Sequence, residues 1–292
     1  MTAPTTVTAD LLRGWPLPEP GSSKQARGAA LVVGGSTSTP GAVILAGEAA
    51  LRAGGGKLQV ATARSVAGQV SLALPEALVR GVTETDTGEL DETACEDVFS
   101  MAEGASATLL GPGLLDPDRA ADLLEGVVPR LDGTVVIDAL GTAYVTRHPD
   151  GLHHLDGEAV LTPNHDELAH TLDVERDAVT KDPLAASVEL ARRTRSVVLC
   201  GGAETLAVQP DGESYRITEG GPGLGTSGSG DVQAGLVTGL LARGAEPLQA
   251  AVWGGYLHGA AGDRLAQTHG RVGFLAREIA AVVPGLLTWL AD

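Results

Sequence analysis

Residues 220 to 231 read Gly-Gly-Pro-Gly-Leu-Gly-Thr-Ser-Gly-Ser-Gly-Asp, and an apolar helical pattern follows from Val232 to Arg243. Six of the eleven residues from 220 to 230 are glycine. This constrains the fold more than any other stretch, because glycine is favoured where the backbone turns left-handed or approaches another group closely. A glycine-rich loop running into a helix aims unpaired N–H groups and the positive end of the helix dipole at one point, an arrangement that holds phosphate. Asp231 stands where the helix begins. Its carboxylate either caps free amides or, beside a bound phosphate, acts as base on an incoming hydroxyl. A cap alone would leave the glycines without a reason.

Three other glycine motifs fail on their context. Gly223-Leu224-Gly225-Thr226-Ser227-Gly228 spells the dinucleotide fingerprint, but that motif requires helix, strand and then an acidic residue about 20 positions on. Here the 232–243 pattern runs into another helical pattern. A Walker A loop needs Lys and Ser/Thr after its last glycine, where this chain has Asp231. A nucleophile elbow fails because Ser229 stands where its final glycine belongs.

The rest of the chain supplies a scaffold for such a loop. Ala29 to Val33 is a short apolar run ended by Gly34-Gly35-Ser36; an Ala-rich helical segment from Gly41 to Ala53 ends at three glycines; Lys57 to Thr62 is a second run. Strand, helix and strand in that order make a βαβ unit and hence a largely parallel sheet. Further strands are expected near 77–80 and over 107–110, 134–137, 159–161 and 197–199. Helices are expected over 91–102, 118–130, 165–172, 183–194, 232–243, 247–266 and 274–291. Leu206–Val208 and Tyr215–Ile217 read as an antiparallel hairpin at the end of the sheet. The expected fold is α/β: a single doubly wound, mostly parallel sheet of at least nine strands over residues 28–292. Residues 1–27 precede it as an arm packing through Leu11, Leu12 and Trp15. Each strand hands its C-terminal end to Gly, Pro or a polar residue, and ligands gather along that edge in open parallel sheets.

Composition narrows the partners. A net charge of −17 argues against nucleic acid, whose phosphate backbone requires positive charge opposite it. Any phosphate ligand must therefore be held locally. Cys95 and Cys200 are the only cysteines, which gives neither a disulfide framework nor a metal spacing and fits a reducing, cytoplasmic setting. No apolar run reaches the ~18 residues of a membrane span. Asp138, at a strand end, either orients magnesium or water or caps the next segment; Glu167 is either a cap or a ligand contact. Trp253, Tyr256 and His258 read as core or subunit contact.

With these residues in place the chain resembles the ribokinase-like superfamily, and within it the ADP/ATP-dependent NAD(P)H-hydrate dehydratases. The superfamily loop Gly-x-Gly-Asp is matched by Gly228-Ser229-Gly230-Asp231. The dehydratase resemblance covers most of residues 28–290. It rests on Gly34-Gly35-Ser36 with Gly41-Ala42, Gly111-Pro112-Gly113-Leu114, Val136-Ile137-Asp138-Ala139, Leu161-Thr162-Pro163 with Glu167, and the 220–231 loop. It implies Asp231 as catalytic base and nucleotide phosphates at Gly228, Ser229, Gly230 and the Cys200-Gly201-Gly202-Ala203-Glu204 strand exit. It also implies hydrated NADH or NADPH against Ala42, Gly113, Asn164, Glu167 and Asp231. ATP or ADP with Mg2+ would phosphorylate the ring hydroxyl, and loss of phosphate would restore the cofactor. The magnesium would be held by phosphates and water with no resident metal ligands, in a homo-oligomer. Three positions depart from the family pattern: Asn164 replaces His, Cys200 replaces Lys and Leu140 replaces Asp. With Cys200 facing the phosphates, a lysine there would tighten nucleotide binding. A small-molecule kinase of the same fold, or a nucleotide-binding homologue without catalysis, uses the same loop.

Overall fold

The computed structural model describes residues 3–291. The strands are β1 (Thr5–Thr6), β2 (Ala29–Val33), β3 (Lys57–Ala63), β4 (Ala77–Val82), β5 (Ala107–Leu110), β6 (Thr134–Ile137), β7 (Ala159–Leu161), β8 (Val197–Cys200), β9 (Thr205–Val208) and β10 (Ser214–Ile217). The helices are α1 (Ala9–Gly14), α2 (Pro40–Arg52), α3 (Ala67–Ala73), α4 (Cys95–Ala102), α5 (Pro117–Val127), α6 (Thr142–Arg147), α7 (His165–Leu172), α8 (Arg176–Lys181), α9 (Pro183–Thr194), α10 (Ser229–Ala242), α11 (Pro247–His269) and α12 (Ala276–Ala291). The strands form one sheet in the order β1-β10-β9-β8-β7-β6-β5-β2-β3-β4. Its pairings are parallel except where β9 runs against β8 and β10.

Strands β2, β5, β7 and β8 are buried at every residue, as a parallel sheet covered on both faces requires. Ala30, Val32, Leu109, Val136 and Leu199 belong to the core shared with α2, α10, α11 and α12. Their alternating neighbours Leu31, Val33, Leu110, Ile137 and Cys200 join the core under α4, α5, α7 and α9. Helix α10 lies unusually close to α2. A Cβ added at Gly235 or Gly239 would stand 2.2 Å from the carbonyl oxygen of Ala46 or Ala50. The small residues read from the sequence thus let two backbones touch, and that contact fixes where the first turn of α10 points.

Residues 3–27 supply more than packing. Thr5 and Thr6 pair in parallel with Tyr215 and Arg216, so the 206–217 hairpin is not the end of the sheet. Two threonines carry no periodicity from which to foresee this. Leu12 is fully buried, and the Trp15 carbonyl accepts from Trp253 Nε1 at 3.0 Å. Helices α1, α3, α6 and α8 also went unforeseen: at six or seven residues, fewer than two turns, they show no amphipathic repeat.

The chain steps outward from β2 to β3 and β4, then returns to β5 on the other side of β2. The crevice outside the ends of β2 and β5 is therefore the topological switch point. There Gly35 N donates to Pro112 O at 2.8 Å, and both Ser36 N and Thr39 Oγ1 donate to Gly113 O, at 2.9 and 2.7 Å.

Candidate active site

Beyond the C-terminal ends of β6, β7 and β8 and the N-terminal end of β9 lies a cleft of about 920 Å³. Its walls are Asp138 after β6, the start of α7, the turn after β8, the loop from Glu219 to Asp231, and His258 and Gly259 of α11. Asp138, Glu167, Glu219 and Asp231 line it, and neither lysine nor arginine does. Such an acidic cleft attracts a nucleotide only if a cation accompanies the phosphates.

The helix that carries Asp231 begins at Ser229, three residues before the start read from the sequence. Gly228 is its N-cap at φ 87°, in the left-handed region, and a Cβ there would meet Leu45 Cδ1 at 2.4 Å. Only glycine fits this turn. Asp231 is consequently the third helical residue and does not cap the helix. The capping alternative is thereby removed. Its carboxyl is pushed up to about 6, first by burial and then by the Glu167 carboxylate. Among the described residues, Ser229 N donates to Thr226 O at 3.2 Å, while the amides of Gly228, Gly230 and Asp231 have no protein acceptor. Those three N–H groups are therefore free for an anion, whereas the Ser229 amide, expected to join them, is already engaged.

Asp138 is 4% exposed and accepts a hydrogen bond from Thr162 Oγ1 at 2.7 Å. Burial, followed by the charges of Asp231 and Glu167, pushes its carboxyl up to about 8. It makes no side-chain cap to the turn that follows. Ala139 just beyond it has φ 48°, a left-handed conformation costly for a residue with a Cβ. Asp138 and Asp231 thus titrate in different ranges, a separation that lets one hold a proton while the other is ionised.

Asn164 and Glu167 form a reciprocal capping box. Asn164 Oδ1 accepts from the amides of Asp166 and Glu167 at 2.8 and 3.0 Å, and Glu167 Oε2 accepts from Asn164 N at 2.9 Å. Both also line the cleft, so the capping role of Glu167 leaves it at the cleft wall.

Of the strand exit assigned to nucleotide, Gly201, Gly202 and Ala203 line the cleft, as do Gly228, Ser229 and Gly230. Cys200 and Glu204 do not. The β8 alternation turns the Cys200 side chain into the core beside α9, where it is 1% exposed and lies against Ser187. Burial pushes its thiol up to about 11. The expectation that Cys200 faces the phosphates is therefore corrected. Glu204 is turned toward Arg216, 3.8 Å away. Leu140 packs against the same core as Cys200. Ala42 and Gly113 lie outside the cleft and face each other at the switch point, where a Cβ on Gly113 would come 2.9 Å from that of Ala42.

His258 went unrecognised. It is 8% exposed, lines the cleft, and its Nε2 lies 2.9 Å from Ser229 Oγ. Burial pulls its imidazole down to about 4, so it is neutral at physiological pH. The available signal was an imidazole between Gly255 and Gly259 in an apolar stretch of α11, which reads equally as a core residue. Trp253 and Tyr256 of the same helix are core residues.

This sheet, with a glycine-rich loop opening a buried helix over the strand ends, is of the ribokinase-like class. The family model for NAD(P)H-hydrate dehydratase matches residues 30–284, and the chain belongs to that family. It is 45% identical to the ADP-dependent (S)-NAD(P)H-hydrate dehydratase of Xanthomonas campestris over 98% of both chains. It is 35% identical to the bifunctional NAD(P)H-hydrate repair enzyme of Moorella thermoacetica over 95% of this chain and 52% of that one, so it spans about half of that enzyme. The Bacillus subtilis ADP/ATP-dependent NAD(P)H-hydrate dehydratase, co-crystallised with ATP and Mg2+, has the same fold. Its TM-score is 0.81 at 24% identity, covering 99% of this chain and 100% of that one.

Proposed function

We propose that this chain restores NADH and NADPH from their hydrated forms at the expense of ATP or ADP, with Asp231 as the base. The observation that carries the reading is the Asp231 carboxylate, uncapped and half-buried between the free amides of the loop and the cleft. The nucleotide lies along Gly201 to Ala203 with its terminal phosphate at Gly228, Ser229 and Gly230. The hydrated nicotinamide enters from the switch point past Ala42 and Gly113 toward Asn164 and Glu167. Asp231 takes the proton of the ring hydroxyl as its oxygen bonds to the terminal phosphorus and the bond to the leaving nucleotide oxygen breaks. The free amides stabilise charge on the transferring group. Phosphate then departs with the C–O electron pair, the neighbouring carbon loses a proton, and the ring double bond returns.

Magnesium fits this cleft as a companion of the phosphates. No group of three or more His, Cys, Asp or Glu side chains among the described residues could hold a metal ion. Asp138 and Glu167 would instead hold it through water. When bound, it offsets phosphate charge and polarises the terminal phosphorus. A homo-oligomer in a reducing cytoplasm belongs to the same proposal. Its support is the exposure of Leu72 (85%) and Leu78 (56%) beside the β4 edge, and two unpaired cysteines. No helix among the described residues is long and apolar enough to cross a membrane.

The test is incubation with hydrated NADH and Mg2+, with and without ATP or ADP. Absorbance at the NADH band should return only with nucleotide. Recovery without nucleotide, or none with either, refutes the proposal.

A further inference from the structure

We propose that His258 is a positioning residue: its Nε2–H donates to Ser229 Oγ and thereby turns the serine hydroxyl proton into the cleft, toward the phosphoryl group. This rests on the phosphate placement proposed above.

Ser229 has one donor left to offer. Its amide is engaged with Thr226 O, so an anion at the loop can gain from Ser229 only through its side chain. The 2.9 Å contact of that side chain with His258 Nε2 has two possible senses, with opposite consequences. If Nε2 is bare, the hydroxyl proton is spent on the imidazole and an oxygen lone pair faces the incoming phosphate. If Nε2 carries the proton, the oxygen accepts it and the hydroxyl proton is free for the phosphate. The second sense is the one proposed: with the Ser229 amide already engaged, it is the sense in which the residue still has a donor to give the anion.

Burial keeps the imidazole neutral, so this orientation holds across the working pH range. The long α11 brings His258 to the loop, and the neighbouring Gly259 lets the helix approach Glu219, where a Cβ would meet the carbonyl oxygen at 2.5 Å.

The first readout needs no substitution. Imidazole 15N NMR of the intact protein should show His258 in the Nε2–H tautomer; the Nδ1–H tautomer overturns the proposal. The second is a cycle of H258F, S229A and the double variant, read both as dissociation constant for magnesium-ADP by calorimetry and as turnover of hydrated NADH. Loss of a charge-assisted hydroxyl contact predicts about a 10- to 100-fold loss in S229A. H258F should lose about 5- to 10-fold, and the double variant no more than S229A alone. H258Q, which can place a donor near the same point, should recover most of the H258F loss. Multiplicative losses in the double variant, or an H258F protein equal to wild type, overturn the proposal. If H258F fails to fold, H258Q and the tautomer decide. If no dehydration is seen but the calorimetric pattern holds, the positioning role stands and the proposed reaction falls.

Discussion

Asp231→Asn should make the protein more stable while abolishing turnover, and the size of the gain follows from the site. Folding moves the carboxyl from 3.8 to about 6, with burial as the first cause and Glu167 as the second. A raised folded pKa means that the native state binds the proton more tightly than the unfolded chain does. The corresponding stability is fully present below about pH 4 and is lost as pH rises through about 6. At pH 8 the wild type therefore carries an ionised, half-buried carboxylate at a cost of at most ~3 kcal/mol, reduced toward ~2 by cleft water. Asparagine has the same shape and no charge, so its melting temperature should be about 3–5 °C higher at pH 8, given ~2.1 cal/mol/K of unfolding entropy per residue. The difference should shrink to about a third of that at pH 4.5, where the unfolded carboxyl is already mostly ionised and the folded one is not. Calorimetric melting of both proteins at the two pH values is the assay. A variant less stable than wild type at pH 8, or a gain equal at both pH values, would refute the claim that Asp231 is held at the expense of the fold.

Four further outcomes follow from particular contacts. Because Asp231 must be ionised to accept a proton, kcat/KM should fall about tenfold per pH unit below pH 6; a flat profile down to pH 4.5 contradicts this. Cys200→Lys would drive an ammonium into the core beside Ser187, so it should lower the melting temperature and leave magnesium-ADP affinity unimproved in calorimetry. Gly239→Ala puts a methyl group 2.2 Å from Ala50 O and should cost about 1–3 kcal/mol in denaturant unfolding, with turnover lost as α10 shifts. Asn164→Ala removes both acceptor bonds of the α7 cap and should cost about 1 kcal/mol in the same assay.

The middle of the sheet was legible because β2, β5, β7 and β8 are fully buried, mainly apolar runs, each closed by Gly or a polar residue. The 165–172 and 183–194 helices fall on their expected boundaries because Asn164 and Asp182 cap them through short-range bonds to the next residues. The phosphate loop was legible for a similar reason: glycine density reports a backbone requirement directly. Other features lie in contacts between distant segments. The alternation within β8 decides that Cys200 faces α9, and a single-residue shift would have faced it toward α11. The pairing of Thr5–Thr6 with β10 joins residues some 210 positions apart in sequence. His258 meets Ser229 only because α11 crosses the start of α10, and nothing in its own neighbourhood marks it as other than core.

The central claim is that phosphoryl transfer to the hydrated ring is followed by loss of that phosphate. It is tested most directly by following NADH restored, inorganic phosphate released and nucleotide consumed in one reaction with hydrated NADH and Mg2+. The account predicts that the three rise together in equal amounts and that Asp231→Asn stops all three. Nucleotide consumed with a phosphorylated organic product persisting and no NADH regained would contradict it, and would make the protein a kinase.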